Sequence, residues 1–368
     1  MRVGIDARLV YYSRAGIGQY ISGLVKGLSE CDEGNEFVVL QSRKDKTILT
    51  DRPNFSRKSL WTPSHHRLEQ LVLPFEISPL RLHILHSPDF IPPFRRDYKS
   101  VITVHDLAFI LYPHFLTEQS ARYYGQIDRA VRLADHIVAD SLSTKRDIIN
   151  FLGVPEAKIT VIYAAANSVY RPINDEYPLK EVQRKYGLDR PYALFVSTIE
   201  PRKNLPTLLR AFRRLLDHYK LEVELAVVGQ RGWFCGEVFA VAETLNLGDD
   251  VTFLGHVPIE DLVMLYNAAQ VHVHPSFYEG FGLPPLEAMA CGTPTIVANV
   301  SSLPEVVGDA SVLVAPDDVE GWTVAMWRVL TDGSLRAQLS EKGLKRAQVF
   351  SWKKAARETL DLYKRLQA

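Results

Sequence analysis

Short apolar, β-rich runs alternate along the chain with longer stretches in which apolar positions recur every three or four residues. Six runs in the first half read as strands: Arg2–Ala7, Glu36–Gln41, Leu82–Ser87, Ser100–Asp106, His136–Ser141 and Ile159–Ala164. Helical periods fill the gaps at Gly18–Ser29, His66–Ile77, Thr117–Ala134 and Ser143–Leu152. A proline- and charge-rich stretch without a long apolar run, YRPINDEYPLKEVQRKYGLDRP, interrupts the pattern. It restarts with Tyr192–Thr198, Val223–Gly229, Val251–Gly255, Val271–Ser276, Thr293–Asn299 and Ala310–Pro316, with helices at Leu205–His218, Ile259–Ala269 and Pro285–Ala290. Such alternation predicts parallel sheets with crossover helices. The chain therefore reads as α/β, with two Rossmann-like doubly wound domains over 1–172 and 191–350 and a linker with lead-in helix over 173–190. A charged amphipathic helix, Ser351–Leu366, follows. Two such domains facing each other would put a cleft between their strand-end loops, where open sheets bind ligands.

Composition narrows this picture without redirecting it. The 368 residues suit two domains. Lysine plus arginine and aspartate plus glutamate both total 43, which argues against a nucleic-acid partner. Up to Pro172 there are 22 basic and 18 acidic residues, a balance of +4; the remainder carries −4. A mildly basic front half suits an anionic acceptor or a membrane surface. Three scattered cysteines (Cys31, Cys235 and Cys291) form neither a disulfide framework nor a metal-ligand spacing, so a reducing cytoplasm is the expected compartment. MRVGIDARLV reads as a strand rather than a signal peptide, and no window is apolar enough to span a bilayer.

The chemistry concentrates in a few segments. HPSFYEGFGLPPLEAMACGTP (His274–Pro294) follows a strand, turns through Gly280 and Gly282 and enters a helix at Pro284–Pro285. Backbone N–H groups before a helix start make an anion site, and Glu279 and Glu287 flank it, placed to accept hydrogen bonds from a polyol. In FVSTIEPRKNLPTLLRAF, Arg202 and Lys203 stand on a turn after a buried strand, a fork and a point charge suited to a diphosphate. His105 and Asp106 close the strand SVITVHD; that histidine can donate to a substrate hydroxyl or stabilise developing charge, or simply orient its loop. Gly16 and Gly18, in the loop AGIGQY, permit close backbone approach but do not complete a dinucleotide fingerprint. His272 and His274 alternate on a strand without further ligands, so they line a core or cleft rather than a metal. G-x-S-x-G, the P-loop and H-E-x-x-H are absent.

At these residues the sequence resembles the family-4 retaining glycosyltransferases of the GT-B fold. The resemblance covers essentially the whole chain. It rests on the E-x7-E pattern Glu279–Glu287 and on EPRKN (Glu200–Asn204), VHD (Val104–Asp106), AGIGQY (Ala15–Tyr20) and ADSLSTK (Ala139–Lys145). It implies that Glu287 holds the nucleotide ribose and that Glu279 contacts the donor sugar or supports catalysis. The amides of Gly280, Phe281, Gly282 and Leu283 would touch sugar and diphosphate, and Arg202 and Lys203 would neutralise the leaving diphosphate. His105 would reach the donor sugar, Gly16 and Gly18 would line the diphosphate and acceptor side, and His256 and Val257 would edge the base. Thr198 stands where many members carry arginine, and Arg202 is expected to take over that charge. The terminal helix 351–368 is expected to cross back onto the front domain.

The implied reaction moves a hexose from a UDP- or GDP-linked donor to an acceptor hydroxyl of a glycan or lipid-linked acceptor, in polysaccharide, lipopolysaccharide or glycolipid synthesis. The anomeric configuration is retained, and neither metal nor cofactor is expected; Asp249–Asp250 precedes a strand instead of ending one. Domain closure would complete the site. The alternatives are a GT-B epimerase, marked by donor turnover without acceptor, and a catalytically idle nucleotide-sugar-binding scaffold subunit, marked by no nucleoside diphosphate release. The stretch Ser59–Leu85 mixes aromatic, basic and apolar residues; it reads as an ordinary amphipathic core helix or as a peripheral contact with the inner face of the membrane.

Overall fold

The computed structural model describes residues 1–12, 16–66, 68–113 and 123–367. The chain divides into two compact units, residues 1–165 with 350–368, and residues 166–349.

The N-terminal unit is built on a parallel sheet of β1 (Arg2–Asp6), β2 (Glu36–Ser42), β3 (Phe55–Leu60), β4 (Ile84–Ser87), β5 (Lys99–Val104), β6 (His136–Ala139) and β7 (Ile159–Val161), in the order β3-β2-β1-β4-β5-β6-β7. Five of its strands are apolar runs buried along most of their length. β3 is an edge strand, FSRKSL, exposed over Ser56–Ser59. It carries no apolar run, so the hydrophobic pattern does not reveal it. Helix α1 (Gly16–Cys31) follows β1, α2 (Glu69–Ile77) precedes β4, and α3 (Leu142–Leu152) follows β6. The Ser141 hydroxyl caps α3 by accepting from Thr144 N–H at 3.0 Å, and Gly153, left-handed at φ 61°, ends it. Part of the helix expected over Thr117–Ala134 lies outside the described residues; Ile127–Leu133 is helical.

The C-terminal unit repeats the topology with β8 (Tyr192–Val196), β9 (Glu224–Val228), β10 (Val251–Gly255), β11 (Val271–His274), β12 (Thr295–Ala298) and β13 (Ser311–Val314), in the order β10-β9-β8-β11-β12-β13. Helices α4 (Leu205–Tyr219) and α5 (Leu283–Ala290) follow β8 and β11. The segment read as a linker, 173–190, belongs to this unit. Tyr170, Val182 and Leu188 are buried in one apolar cluster with Tyr192 and Tyr266, which fixes the Glu176–Lys185 helix onto the sheet. Burial of those few apolar residues, too sparse to look periodic, moves the division back to Ala165–Ala166.

The terminal helix α6 (Trp352–Gln367) packs on the N-terminal unit, against α1. Gly23 and Gly27 make the close approach possible: a Cβ on Gly23 would lie 2.1 Å from the Trp352 ring, and one on Gly27 2.4 Å from the Trp352 carbonyl. Tyr363 adds a buried hydrogen bond, 2.6 Å from His86 Nδ1, while His86 Nε2 lies 2.8 Å from the Thr103 hydroxyl.

Helix α2 is not an ordinary core helix. Leu68, Leu71, Val72 and Phe75, spaced as one helical stripe, are exposed, Leu71 by 65% and Phe75 by 77%, whereas Glu69, Leu73 and Ile77 are buried. Trp61 is exposed beside them in sequence, with the Arg43 guanidinium 3.7 Å over its ring. Among the described residues no helix is long and apolar enough to cross a membrane.

Candidate functional site

The C-terminal unit gathers its chemistry where its strand order reverses, between the carboxyl ends of β8 and β11. β8 is wholly buried; after it the chain makes one 3-10 turn, Pro201–Lys203, started by the proline. Asn204 closes the turn in the left-handed region at φ 55°, a conformation asparagine tolerates. Its side-chain amide donates to the Pro275 carbonyl at 3.0 Å and the Pro316 carbonyl at 2.7 Å. Phe277 N–H donates to the Arg202 carbonyl at 2.9 Å. The loops after β8 and β11 are thereby stitched together.

Glu279 is the hub of this site. Its Oε1 lies 2.7 Å from Lys203 Nζ, and accepts from the Ser276 hydroxyl at 2.8 Å and from His274 Nε2 at 2.9 Å. Its Oε2 lies 3.3 Å from the Arg202 guanidinium, which also pairs with Glu200 at 2.9 Å and donates to the Tyr278 carbonyl at 2.9 Å. Burial alone would raise the Glu279 carboxyl; Lys203, Arg202 and His274 outweigh it and hold the group well below the usual range. Burial lowers His274, which fits a neutral ring donating from Nε2. Arg202, Lys203, Glu200 and Glu279 sum to zero formal charge. The two cations are thus pinned and oriented by carboxylates rather than left as a free positive patch.

Gly282, at φ 108°, starts α5, and a Cβ there would meet Leu303 Cδ2 at 2.8 Å. Pro284 and Pro285 carry no N–H, so Gly282 and Leu283 supply the backbone amides at the start of this helix. The Ser302 hydroxyl lies 2.9 Å from the Glu279 carbonyl and 2.8 Å from that of Phe281, and Glu279 N–H donates to Ser301 Oγ at 2.9 Å. Glu287, on α5, lives in the opposite environment to Glu279. It is buried with no ion-pair partner among the described residues, accepts from the Tyr266 hydroxyl at 3.2 Å, and burial pushes its carboxyl up to about 7.

The remaining expected residues are not members of this ion cluster. Thr198 follows β8 in the same unit. Val257 gives its side chain to the apolar core, and His256 is exposed. Asp250 is paired with Arg190 at 2.9 Å. His105, in the N-terminal unit, has both ring nitrogens engaged, Nδ1 2.5 Å from Asp140 and Nε2 2.7 Å from the Pro88 carbonyl. Burial alone would lower this histidine, but the Asp140 carboxylate holds it up to about 9, an imidazolium donating twice. In this arrangement no ring N–H of His105 is left over for a substrate. Gly16 and Gly18 lie in the first turn of α1, not in an open loop, because the helical period of Ile17–Val25 extends one turn further back than the glycines suggest; Ala15 lies outside the described residues. Glu200 and Asn204 lie in the EPRKN motif and Ser276 in HPSFYEGFG, but the sequence assigns a role to none of them, nor to Ser301 and Ser302. The serines flank the E-x7-E motif on both sides, but their partners are set by packing between β11 and β12 and not by spacing.

Residues 180–346 match the family described as Glycosyl transferases group 1, and residues 14–168 match Glycosyltransferase Family 4. The chain is 32% identical to the O-antigen chain mannosyltransferase B of Escherichia coli, over 100% of both chains. It is 31% identical to the serotype-specific mannosyltransferase WbdA of Escherichia coli over 76% of this chain and 36% of that longer one. Among solved structures, sucrose-phosphate synthase from Thermosynechococcus elongatus is similar with a TM-score of 0.80 at 22% identity, over 100% of this chain and 99% of that one. WaaG, a glycosyltransferase involved in lipopolysaccharide biosynthesis, gives 0.75 at 16% identity, over 98% and 99%. These structural likenesses show the GT-B fold.

Proposed function

The chain belongs to glycosyltransferase family 4, the group 1 glycosyl transferases, and on that premise we propose that it moves mannose from a nucleoside-diphosphate donor to a hydroxyl of a growing cell-surface polysaccharide. That it is a glycosyltransferase follows from the family; mannose and O-antigen synthesis are carried over from the names of its relatives. The donor is GDP- or UDP-linked, the anomeric configuration is kept, and neither metal nor cofactor takes part.

The observation that carries this reading is the ion cluster Lys203–Glu279–Arg202 at the β8/β11 switch point, beside the glycine-led start of α5. A departing diphosphate needs donors already aimed at it. Arg202 and Lys203, fixed by Glu200 and Glu279, would meet that need without reorganising. The amides of Gly280–Leu283 would add to it, and Glu287 would accept from the ribose hydroxyls. Removing one such donor elsewhere costs on the order of 2.7–4 kcal/mol, so Arg202→Ala and Lys203→Ala should each lose roughly a hundredfold in turnover. The exposed stripe of α2 with Trp61 supports a peripheral contact with the inner face of the membrane, where a lipid-linked acceptor would be met.

The test is a turnover screen of purified protein over GDP- and UDP-hexoses with a mannose-terminated oligosaccharide, reading nucleoside diphosphate release and product anomericity by NMR. Release from one donor, a retained anomeric centre and roughly hundredfold losses in both variants are expected. An inverted product, or near-normal turnover in both variants, overturns the reading.

A further inference from the structure

The N-terminal sheet reverses its strand order between β1 and β4, the same topological point at which the C-terminal sheet carries its ion cluster. A small, largely enclosed cavity lies there, lined by residues that follow β1 and β4 and by the start of α2. Arg8, buried on the turn after β1, is held by Asp6 at 2.6 Å and by Glu69. Asp89, just beyond β4, accepts from His65 Nε2 at 2.6 Å and from the Tyr123 hydroxyl at 3.1 Å through Oδ2, and from Phe90 N–H at 2.9 Å through Oδ1. The His65 and Tyr123 rings stack with centroids 4.0 Å apart.

One group in this wall has no place in that network. The Ser87 side chain is 98% buried by its 2% exposure, lines the cavity, and its hydroxyl has no hydrogen-bond partner among the described residues. A buried hydroxyl without a partner is costly unless something outside the chain satisfies it. The surroundings say what that something is. Three carboxylates (Asp6, Glu69 and Asp89) face one arginine and one histidine, so at neutral pH the cavity carries a formal surplus of acids, which disfavours a phosphate. A neutral hydroxyl is both donor and acceptor, and suits Ser87 and a carboxylate lone pair together.

We propose that this cavity is a sugar-hydroxyl subsite: it receives one hydroxyl of a neutral pyranose of the acceptor glycan, which hydrogen-bonds to Ser87 and Asp89 while the ring sits at the mouth beside His65. The proposal rests on the glycosyltransferase reading above and adds that the acceptor end recognised here is an uncharged sugar. It makes Ser87, Asp89 and His65 specificity-determining positions outside the family motifs.

The test measures binding without turnover. Saturation-transfer NMR of methyl α-D-mannopyranoside with the full chain is compared for wild type, Ser87→Ala and Asp89→Asn, with inorganic phosphate as the anionic competitor. Ser87→Ala removes a hydroxyl that bonds nothing in the protein, so its fold is expected to be unaffected. Sugar binding that weakens several-fold in Ser87→Ala and about tenfold or more in Asp89→Asn, without displacement by phosphate, is expected. No binding to wild type (a cavity for an internal water only), equal binding in Ser87→Ala, or displacement by phosphate overturns the proposal. Binding of GDP or UDP to wild type is read in parallel: its absence counts against the donor reading, and its presence without sugar binding counts against this subsite alone.

Discussion

At the β8/β11 switch point two cations, Arg202 and Lys203, share two carboxylates, Glu200 and Glu279. At the β1/β4 switch point one arginine, Arg8, stands among Asp6, Glu69 and Asp89, with His65 as the one further base among the described residues lining the cavity. The topology is the same, and each arginine lies two residues beyond a carboxylate that it pairs with. What differs is the charge balance. Pairing each cation with an acid leaves donors that are aimed yet neutral overall, which an incoming diphosphate can recruit. A surplus of acids excludes such a ligand and leaves acceptors for hydroxyls. On the two proposals above, the shared topology does not by itself distinguish the halves; the local count of charges does.

The comparison breaks first at Glu279. Replacing it by alanine leaves Lys203 and Arg202 short of their buried partner, and should cost about 3–5 kcal/mol, read from the urea midpoint. A midpoint within error of wild type would mean that the cluster is not held by that carboxylate.

A second contrast sits inside the C-terminal unit, eight residues apart. Glu287, held up to about 7 by burial, is favoured as the neutral acid in the folded state. That preference favours folding fully below about pH 4.5 and is lost as pH rises through about 7. Glu287→Gln should then be more stable than wild type by up to about 3 kcal/mol at pH 8 and equal to it at pH 4, seen as diverging thermal midpoints. A pH-independent difference would refute the assignment. The same variant should bind nucleotide less tightly, because ribose hydroxyls favour the carboxylate as acceptor.

His105 supplies a smaller effect. Held charged chiefly by Asp140, it should titrate near 9 by NMR and move down in Asp140→Asn, where only the Pro88 carbonyl and Asp89 still oppose burial. Its contribution to stability is complete below pH 6.5 and is lost as pH rises through about 9. An unchanged titration would separate His105 from Asp140. The smallest expected change is at the surface. Phe75→Ser should leave stability within about 0.5 kcal/mol yet reduce sedimentation with anionic vesicles. Equal sedimentation would remove α2 from any membrane contact.

Most of the sheet was legible in the sequence because buried parallel strands must be apolar along their length, as Tyr192–Val196 and Val101–Val104 are. The edge strand Phe55–Leu60 was not, since exposure on both faces lets it keep Arg57 and Lys58. Arg202, Lys203, Glu279 and Glu287 could be found by motif, and the structure puts the first three in contact. Their state could not be found that way. That Glu279 is held well below the usual carboxylate range and Glu287 is pushed up to about 7 depends on which side chains pack around them: Lys203, Arg202 and His274 in one case, apolar burial with Tyr266 in the other. Ser87 illustrates the same limit, for it sits in no motif, and only its buried, unpartnered hydroxyl marks it.

The central claim, that carboxylate-pinned cations at β8/β11 receive a diphosphate, is tested most directly by calorimetric titration of GDP and UDP into wild type and Lys203→Ala. The account predicts that one of the two nucleotides binds wild type and that the variant weakens it by about tenfold or more. Equal affinity in the two proteins, or no binding of either nucleotide to wild type, would contradict it.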